Sequence, residues 1–429
     1  MNYKQLKSMT TKNIFSGNSY SLRALVMVFA LLVICIFFHI ATDGIFLSAA
    51  NITNLVRQSS IVGILAIGMV LVIVSGNIDL SVGSMVGFFG GIASIFLMKH
   101  EMNLWSVILL TLAIGFIIGC MQGALTAYLR IPAFIVTLGG LLIFRGSIMA
   151  IMKGETVSVN NDFQIFGSGF LNRQVSIYVF VVLILLFAIT ELRKRKTQKE
   201  FGLKVSSVSV FAARIISLAA LLIFFLWVFT QNNSSIVRAP IATPIHVPAN
   251  SPLINQPEYN FSNSVSTQIA TDENEKAIPV PVIVMLVLAI VVSFIAKRTV
   301  FGRRVFAIGG NAEAAYLSGI NIKLNTLLVF GLCGLLSAVA GIVYTARLGS
   351  AAPDAAAGYE LYAIAACVIG GTSLMGGRGT IFGAIIGALI MASLDSGMSI
   401  LNIEPFYQNI IKGAVLILAV YIDVSSKKK

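Results

Sequence analysis

Two short stretches of this 429-residue chain set polar side chains between long apolar runs. One reads Ser75-Gly76-Asn77-Ile78-Asp79-Leu80-Ser81-Val82-Gly83-Ser84, the other Gly370-Gly371-Thr372-Ser373-Leu374-Met375-Gly376-Gly377-Arg378-Gly379-Thr380. Hydroxyl and amide side chains donate and accept. Asn77, Ser81, Ser84, Thr372 and Ser373 could therefore hold a neutral, hydroxyl-rich solute and offset its desolvation. Asp79 stands alone among apolar neighbours, where a charge at the bilayer centre costs about 2.5–3.5 kcal/mol. It is placed to cap a helix beginning near Ser81, a role compatible with contact to a solute. The second stretch looks like a phosphate loop, but no GxxxxGK[ST] run occurs, which excludes a nucleotide site of that type.

A third informative stretch runs from Lys297 to Ile320 and includes Phe301, Gly302, Gly309, Gly310, Asn311, Glu313, Ala314, Ala315, Ser318 and Gly319. Asn311 can cap a short helix from Ala312 to Ser318, which Gly319 ends. Such a helix could lodge in a groove on another protein or simply lie on the membrane surface. No paired carboxylates, metal cluster or nucleophile–base set is evident, so no catalytic residue, metal site or cofactor held by this chain is expected. Cys35, Cys120, Cys333 and Cys367 lie inside apolar runs without metal-ligand spacing. His39, His100 and His246 are scattered. Other polar intruders are Gln122, Thr137, Arg145, Ser393, Asp395 and Lys412. Arg145 and Lys412 are candidate partners for Asp395 or for a carbonyl.

These stretches sit in a chain that is 57% hydrophobic and 11% charged, against about 25% charged in soluble domains. Soluble enzymes, nucleic-acid binders and secreted disulfide scaffolds are excluded. The formal charge of +13 gathers in short connectors around Lys4 to Arg23, Arg193 to Lys204, Lys297 to Arg304 and Lys427 to Lys429. This is the pattern of positive cytoplasmic loops, so the basicity reports orientation in a lipid bilayer and no nucleic-acid partner is expected.

Full-length spans read as 24–40, 104–128, 133–152, 175–191, 211–229, 280–296, 325–345 and 408–424, the first an uncleaved anchor. Four shorter runs, Ile61 to Ser75, Ser84 to Met98, Leu361 to Gly371 and Thr380 to Gly397, flank the two polar elbows. Each pair reads as two tilted helices or as a re-entrant hairpin. The expected fold is all-α: a polytopic helical membrane protein of about ten to twelve transmembrane or re-entrant helices, both termini cytoplasmic. Residues 1–23 form an inner tail, 24–424 the membrane domain and 425–429 a second inner tail. Residues 230–278, with Pro240, Pro244, Pro248, Pro252 and Pro257, form an extended external loop. The elbows also resemble each other, with Gly76, Leu80, Gly83, Phe88 and Ile92 matching Gly370, Leu374, Gly377, Phe382 and Ile386 at constant offset. Paired interruptions in two halves point to a transport path.

The chain resembles the permease subunits of bacterial ABC sugar importers of the ribose/xylose/galactose class, the xylose permeases above all. The resemblance rests on Gly63 through Gly83, Ile131 through Gly140, Phe301 through Ile320, Ala363 through Ser373 and Ile390 through Ser399. It implies a multi-pass protein of the bacterial cytoplasmic (inner) membrane. Its expected partners are a second permease subunit, a cytoplasmic ABC ATPase that holds ATP and Mg, and an external sugar-binding protein. It also implies a monosaccharide cargo, D-xylose first, and a coupling loop at 297–324 that contacts the ATPase. On that reading, changing Glu313 or Gly310 uncouples uptake without preventing insertion. Two alternatives remain: an ion-coupled secondary transporter using Asp79 or Asp395, and an ABC permease for a non-sugar solute such as a branched-chain amino acid.

Overall fold

The computed structural model describes residues 26–200, 223, 228 and 276–425. The tail 1–23, nearly all of the expected span 211–229, most of the loop 230–278 and residues 426–429 lie outside them. The chain divides into two units, Met1–Gly169 with Pro279–Lys429, and Phe170–Ile278.

The first unit is helical. Its N-terminal half holds α1 (Val26–Ala41), α2 (Ala49–Val74), α3 (Val82–Met98), α4 (Leu104–Ala127), α5 (Ala133–Met152) and α6 (Asn161–Ser168). In the second unit, a short strand Phe170–Asn172 pairs with Lys276–Pro279, and α7 (Arg173–Glu200) follows the first strand. Ser176 Oγ donates to Asn172 O over 2.9 Å and accepts from the Ile278 N–H over 3.3 Å, fastening that pair to α7. The helix continues through the basic stretch after residue 192, which sequence alone reads as the start of a connector.

Back in the first unit come α8 (Val280–Arg298), α9 (Val300–Gly310), α10 (Ala312–Leu317), α11 (Ile322–Leu348), α12 (Tyr359–Ile369), α13 (Ile381–Ile400) and α14 (Pro405–Ser425). Among the described residues, six helices are long and apolar enough to cross a membrane and five shorter ones are apolar. An all-α, multi-pass membrane fold is therefore observed.

Small residues let these helices approach closely. Gly115, Gly119 and Gly123, four apart on α4, face Gly334 and Ala338, Phe330 and Gly331, and Leu327 of α11. A Cβ at Gly119 would overlap the Phe330 carbonyl. The core lies around the C-terminal half of α2, where Ile61 through Val74 are buried and pack with α8, α11, α12 and α13.

The two elbow regions differ from the equal short pairs read from sequence. The run beginning at Ile61 is only the inner part of a 26-residue helix that starts at Ala49. Asn51, Asn54, Arg57 and Gln58 lower the hydropathy of its outer end, yet Asn51 Nδ2 donates to Phe46 O over 2.7 Å and Arg57 donates to Ser168 O. Tertiary partners thus satisfy polar groups that resemble a connector in sequence. By contrast α12 has 11 residues, about 16 Å at 1.5 Å per residue, too short to span. The first pair is a long span plus a 17-residue helix, the second a half-helix plus a 20-residue helix.

Candidate functional site

At its inner end α2 stops at Ser75, and Gly76 adopts φ +86°. The Gly76 N–H donates to Ile73 O over 2.9 Å and the Asn77 N–H to Val72 O over 3.1 Å, the paired bonds of a Schellman motif. The chain then runs unwound to Ser81 before α3 begins. Asp79, only 1% exposed, accepts from the Ser81 N–H at 2.8 Å and from Ser81 Oγ at 2.7 Å through one oxygen. The Cys333 thiol of α11 lies beside the carboxylate, whose other oxygen has no hydrogen-bond partner among the described residues. Gln122 of α4 donates to Ser81 Oγ over 3.0 Å, and Thr137 of α5 donates to Ile78 O over 3.4 Å. Cys333 is eleven residues into α11, or about 17 Å along its axis, so this network lies within the membrane body. Asp79 ties down the helix entrance as expected, although Ser81 is itself the N-cap residue. Asn77 lies beside it, its amide bonded to Ser75 Oγ at 3.0 Å.

Ser84 is buried, and its hydroxyl has no hydrogen-bond partner among the described residues. One residue earlier, Gly83 lies against the Glu360 carboxylate and the Ala356 carbonyl. Glu360 occupies the first turn of α12, where an acid suits the helix dipole, and Arg145 of α5 is within its electrostatic reach. Sequence reading missed Glu360 because it placed the start of that apolar segment one residue later. A lone acid at the head of an apolar run was the available signal.

The second elbow repeats the Schellman geometry. The Gly371 N–H donates to Val368 O over 2.9 Å and the Thr372 N–H to Cys367 O over 2.8 Å, with Gly371 at φ +81°. Gly76 therefore corresponds to Gly371, one residue away from the sequence match with Gly370. The correspondence then ends: Gly83 lies inside α3, whereas Gly377 is a loop residue at φ +70°. Identity matching aligned abundant glycines, whereas only the residue after the cap must take a left-handed backbone. Thr372 and Ser373 are buried. The Ser373 N–H donates to Arg378 O over 2.9 Å, which closes the loop.

The connector approaches from the same side. Thr299 caps α9 by accepting from the Gly302 N–H at 3.2 Å, and Val305 and Ile308 bury its inner face. Phe301 packs on the core, and Gly302 lies tight against the Ala296 carbonyl. Asn311 Oδ1 accepts from the Ala314 N–H at 2.9 Å, Ser318 Oγ donates to Ala314 O at 2.8 Å, and Gly319 at φ +79° ends α10. The expected cap and stop are both present, with Leu317 the last helical residue.

Ala315 is buried, whereas Glu313, Ala314, Tyr316 and Leu317 are exposed, the last two at 70% and 78%. Gly309 lies so close to the Val74 carbonyl that no side chain fits. A Cβ on Gly376 would sit 2.8 Å from Gly309 O, and one on Gly377 would sit 2.9 Å from Gly310 Cα. The connector and both elbows therefore meet through backbone, at Val74, Gly309, Gly376 and Gly377. Gly310, by contrast, would point a side chain into open space. Met375, 80% exposed, stands beside this junction. Sequence reading missed Tyr316, Leu317 and Met375, since their exposure follows from how the connector docks.

The protein family described as branched-chain amino acid transport system, permease component, matches residues 51–235 and 203–420. The chain is similar to the xylose transport system permease protein of Haemophilus influenzae, with 41% identity over 97% of this chain and 100% of that one. Against the xylose transport system permease protein of Escherichia coli the identity is 39%, over 97% of this chain and 95% of that one. The ribose import permease protein of Escherichia coli is 31% identical over 97% of this chain and 99% of its own. No solved structure matches the chain.

Proposed function

The chain belongs to the family of bacterial importer permeases that includes the xylose and ribose permeases, and we propose from that footing that it carries D-xylose across the bacterial cytoplasmic membrane. It is a transporter subunit and not an enzyme. ATP and Mg act on a separate cytoplasmic ABC ATPase, and an external binding protein delivers the sugar to a pair of permease subunits.

The observation that carries the mechanism is the seating of Gly309 on the carbonyl that ends α2, beside Gly376 and Gly377 of the second elbow. In this mechanism α10 is the element the ATPase pushes, with Tyr316 and Leu317 as its exposed contacts and Asn311 holding its start. Because Gly309 meets backbone and no compliant side chain, a shift of the connector moves both elbows together. Closely packed interfaces switch between discrete arrangements and do not deform smoothly. Nucleotide binding then biases an existing equilibrium between outward and inward states. Asn77, Asp79, Ser81, Ser84, Thr372 and Ser373 line the route, and apart from Asp79 these are neutral donors and acceptors that suit a neutral sugar.

The family description names a second reading, transport of a branched-chain amino acid, but relatives at 41% and 39% identity over nearly the whole chain are xylose permeases, which favours the sugar. Vesicles holding the permease, its ATPase and its binding protein test both readings. ATP-dependent uptake of labelled xylose, exceeding that of leucine, is expected. Uptake driven by an ion gradient without the ATPase would overturn the assignment.

A further inference from the structure

We propose that a cavity of about 590 Å³ at the outer end of α2, walled by α2, α12, α13 and α14, is a monosaccharide-binding subsite. The proposal rests on the sugar-permease reading and locates where the cargo first meets this chain. The cavity opens near Asn51, twenty-three residues from Val74 along α2 and hence about 35 Å from the junction with the connector. It belongs to the opposite face of the membrane domain, where cargo arrives.

The wall chemistry selects the ligand class. The amides of Asn54, Gln58 and Asn409 line the cavity and make no side-chain hydrogen bond among the described residues. Each offers a donor and an acceptor side by side, which matches neighbouring hydroxyls on a sugar ring. Tyr359 and Tyr362 also line it, with ring centroids 5.6 Å apart and planes tilted by 55°, and they add aromatic surface against which the C–H groups of such a ring can pack. The only charges in the wall, Asp395 and Lys412, are paired at 2.8 Å, and Lys412 Nζ also donates to Tyr362 Oη at 2.6 Å. The wall is net neutral, and an ionic solute would have to break that pair.

The volume falls in the range of about 300–1,000 Å³ usual for small-molecule sites. Ser396 Oγ donates to Asn51 Oδ1 over 2.7 Å and braces α13 against α2, so the wall is formed in advance. The subsite also leads inward: Tyr359 lines the cavity, and the next residue, Glu360, lies against Gly83 at the head of α3.

The test uses the full importer in vesicles carrying Asn409→Cys, with Ser399→Cys at the cavity rim as a second variant and the unsubstituted chain as background for the native cysteines. A membrane-impermeant thiol reagent is added outside, with D-xylose or L-leucine as probe. Xylose at about ten times its Kd should slow modification about ten-fold, and leucine should leave it unchanged. Protection by leucine and not by xylose would overturn the ligand class. No protection at either cysteine, in an importer whose unsubstituted form takes up xylose, would overturn the subsite while the transport reading stands. If the unsubstituted importer moves no sugar, both fall.

Discussion

The backbone N–H of Gly377 donates to the carbonyl of Val74 over 2.9 Å. A helix leaves its last carbonyls without partners, and here the two before Val74, those of Val72 and Ile73, are taken locally by Asn77 and Gly76. The last one, at Val74, is satisfied only by the other elbow, nearly the whole domain away in sequence. Gly309 of the connector packs on the same carbonyl. One peptide group is thus the meeting point of three segments that sequence reading could treat only separately.

A side chain at Gly309 must move that carbonyl or the connector. Overpacking of this kind costs about 1–3 kcal/mol, and coupling energies of that size correspond to roughly 5–150-fold. Gly309→Ala should therefore lower ATP-dependent uptake about ten-fold or more while the chain still inserts. Gly310→Ala, whose Cβ meets open space, should stay near the parent rate, which revises the expectation from sequence that a change at Gly310 uncouples uptake. Equal loss in both, measured as uptake per inserted permease, would refute the seating.

Tyr316 and Leu317 are exposed neighbours on α10, the helix proposed to meet the ATPase. Fully burying one such side chain is worth about 1.5–3 kcal/mol. Leu317→Asp should reduce co-purification of the ATPase about ten-fold or more, with the permease level in the membrane unchanged. Undiminished co-purification would remove α10 from the docking surface.

Asp395 and Lys412 are paired with side chains 16% and 8% exposed. Removing one partner of a buried pair leaves an uncompensated charge and costs about 3–5 kcal/mol, whereas replacing both is often close to neutral. Asp395→Asn or Lys412→Met should each lower the melting temperature in detergent, and the double variant should recover much of the loss. Additive losses in the double variant would show that the two do not act as a pair.

Gly371 holds φ +81°, a conformation that costs a side-chain-bearing residue about 1–2 kcal/mol. Gly139 is an ordinary helical position with nothing near a new Cβ, where alanine gains roughly 0.5–1 kcal/mol. Thermal unfolding should place Gly371→Ala below the parent and Gly139→Ala at or above it.

Membrane class and helical fold were legible from composition, because lipid demands long apolar helices whatever their arrangement. The Asn311 cap, the Gly319 stop and the engagement of Asp79 with Ser81 were legible for a different reason. Each depends on residues within a few positions, so local chain geometry decides it. The Asp395–Lys412 contact was anticipated because few charges in an apolar body have few partners to choose from.

Tertiary structure alone decided the rest. The polar outer turns of α2 belong to a helix only because Phe46 and Ser168 supply acceptors for Asn51 and Arg57. The equivalence of Gly76 with Gly371 appeared only once backbone angles were known. The cavity beside Asn54 and the fit of Gly309 on Val74 each require helices from distant segments. Hydropathy along a chain states how much surface must leave water. Which groups then face each other is set by packing, and close approach is a property of pairs that no single stretch contains.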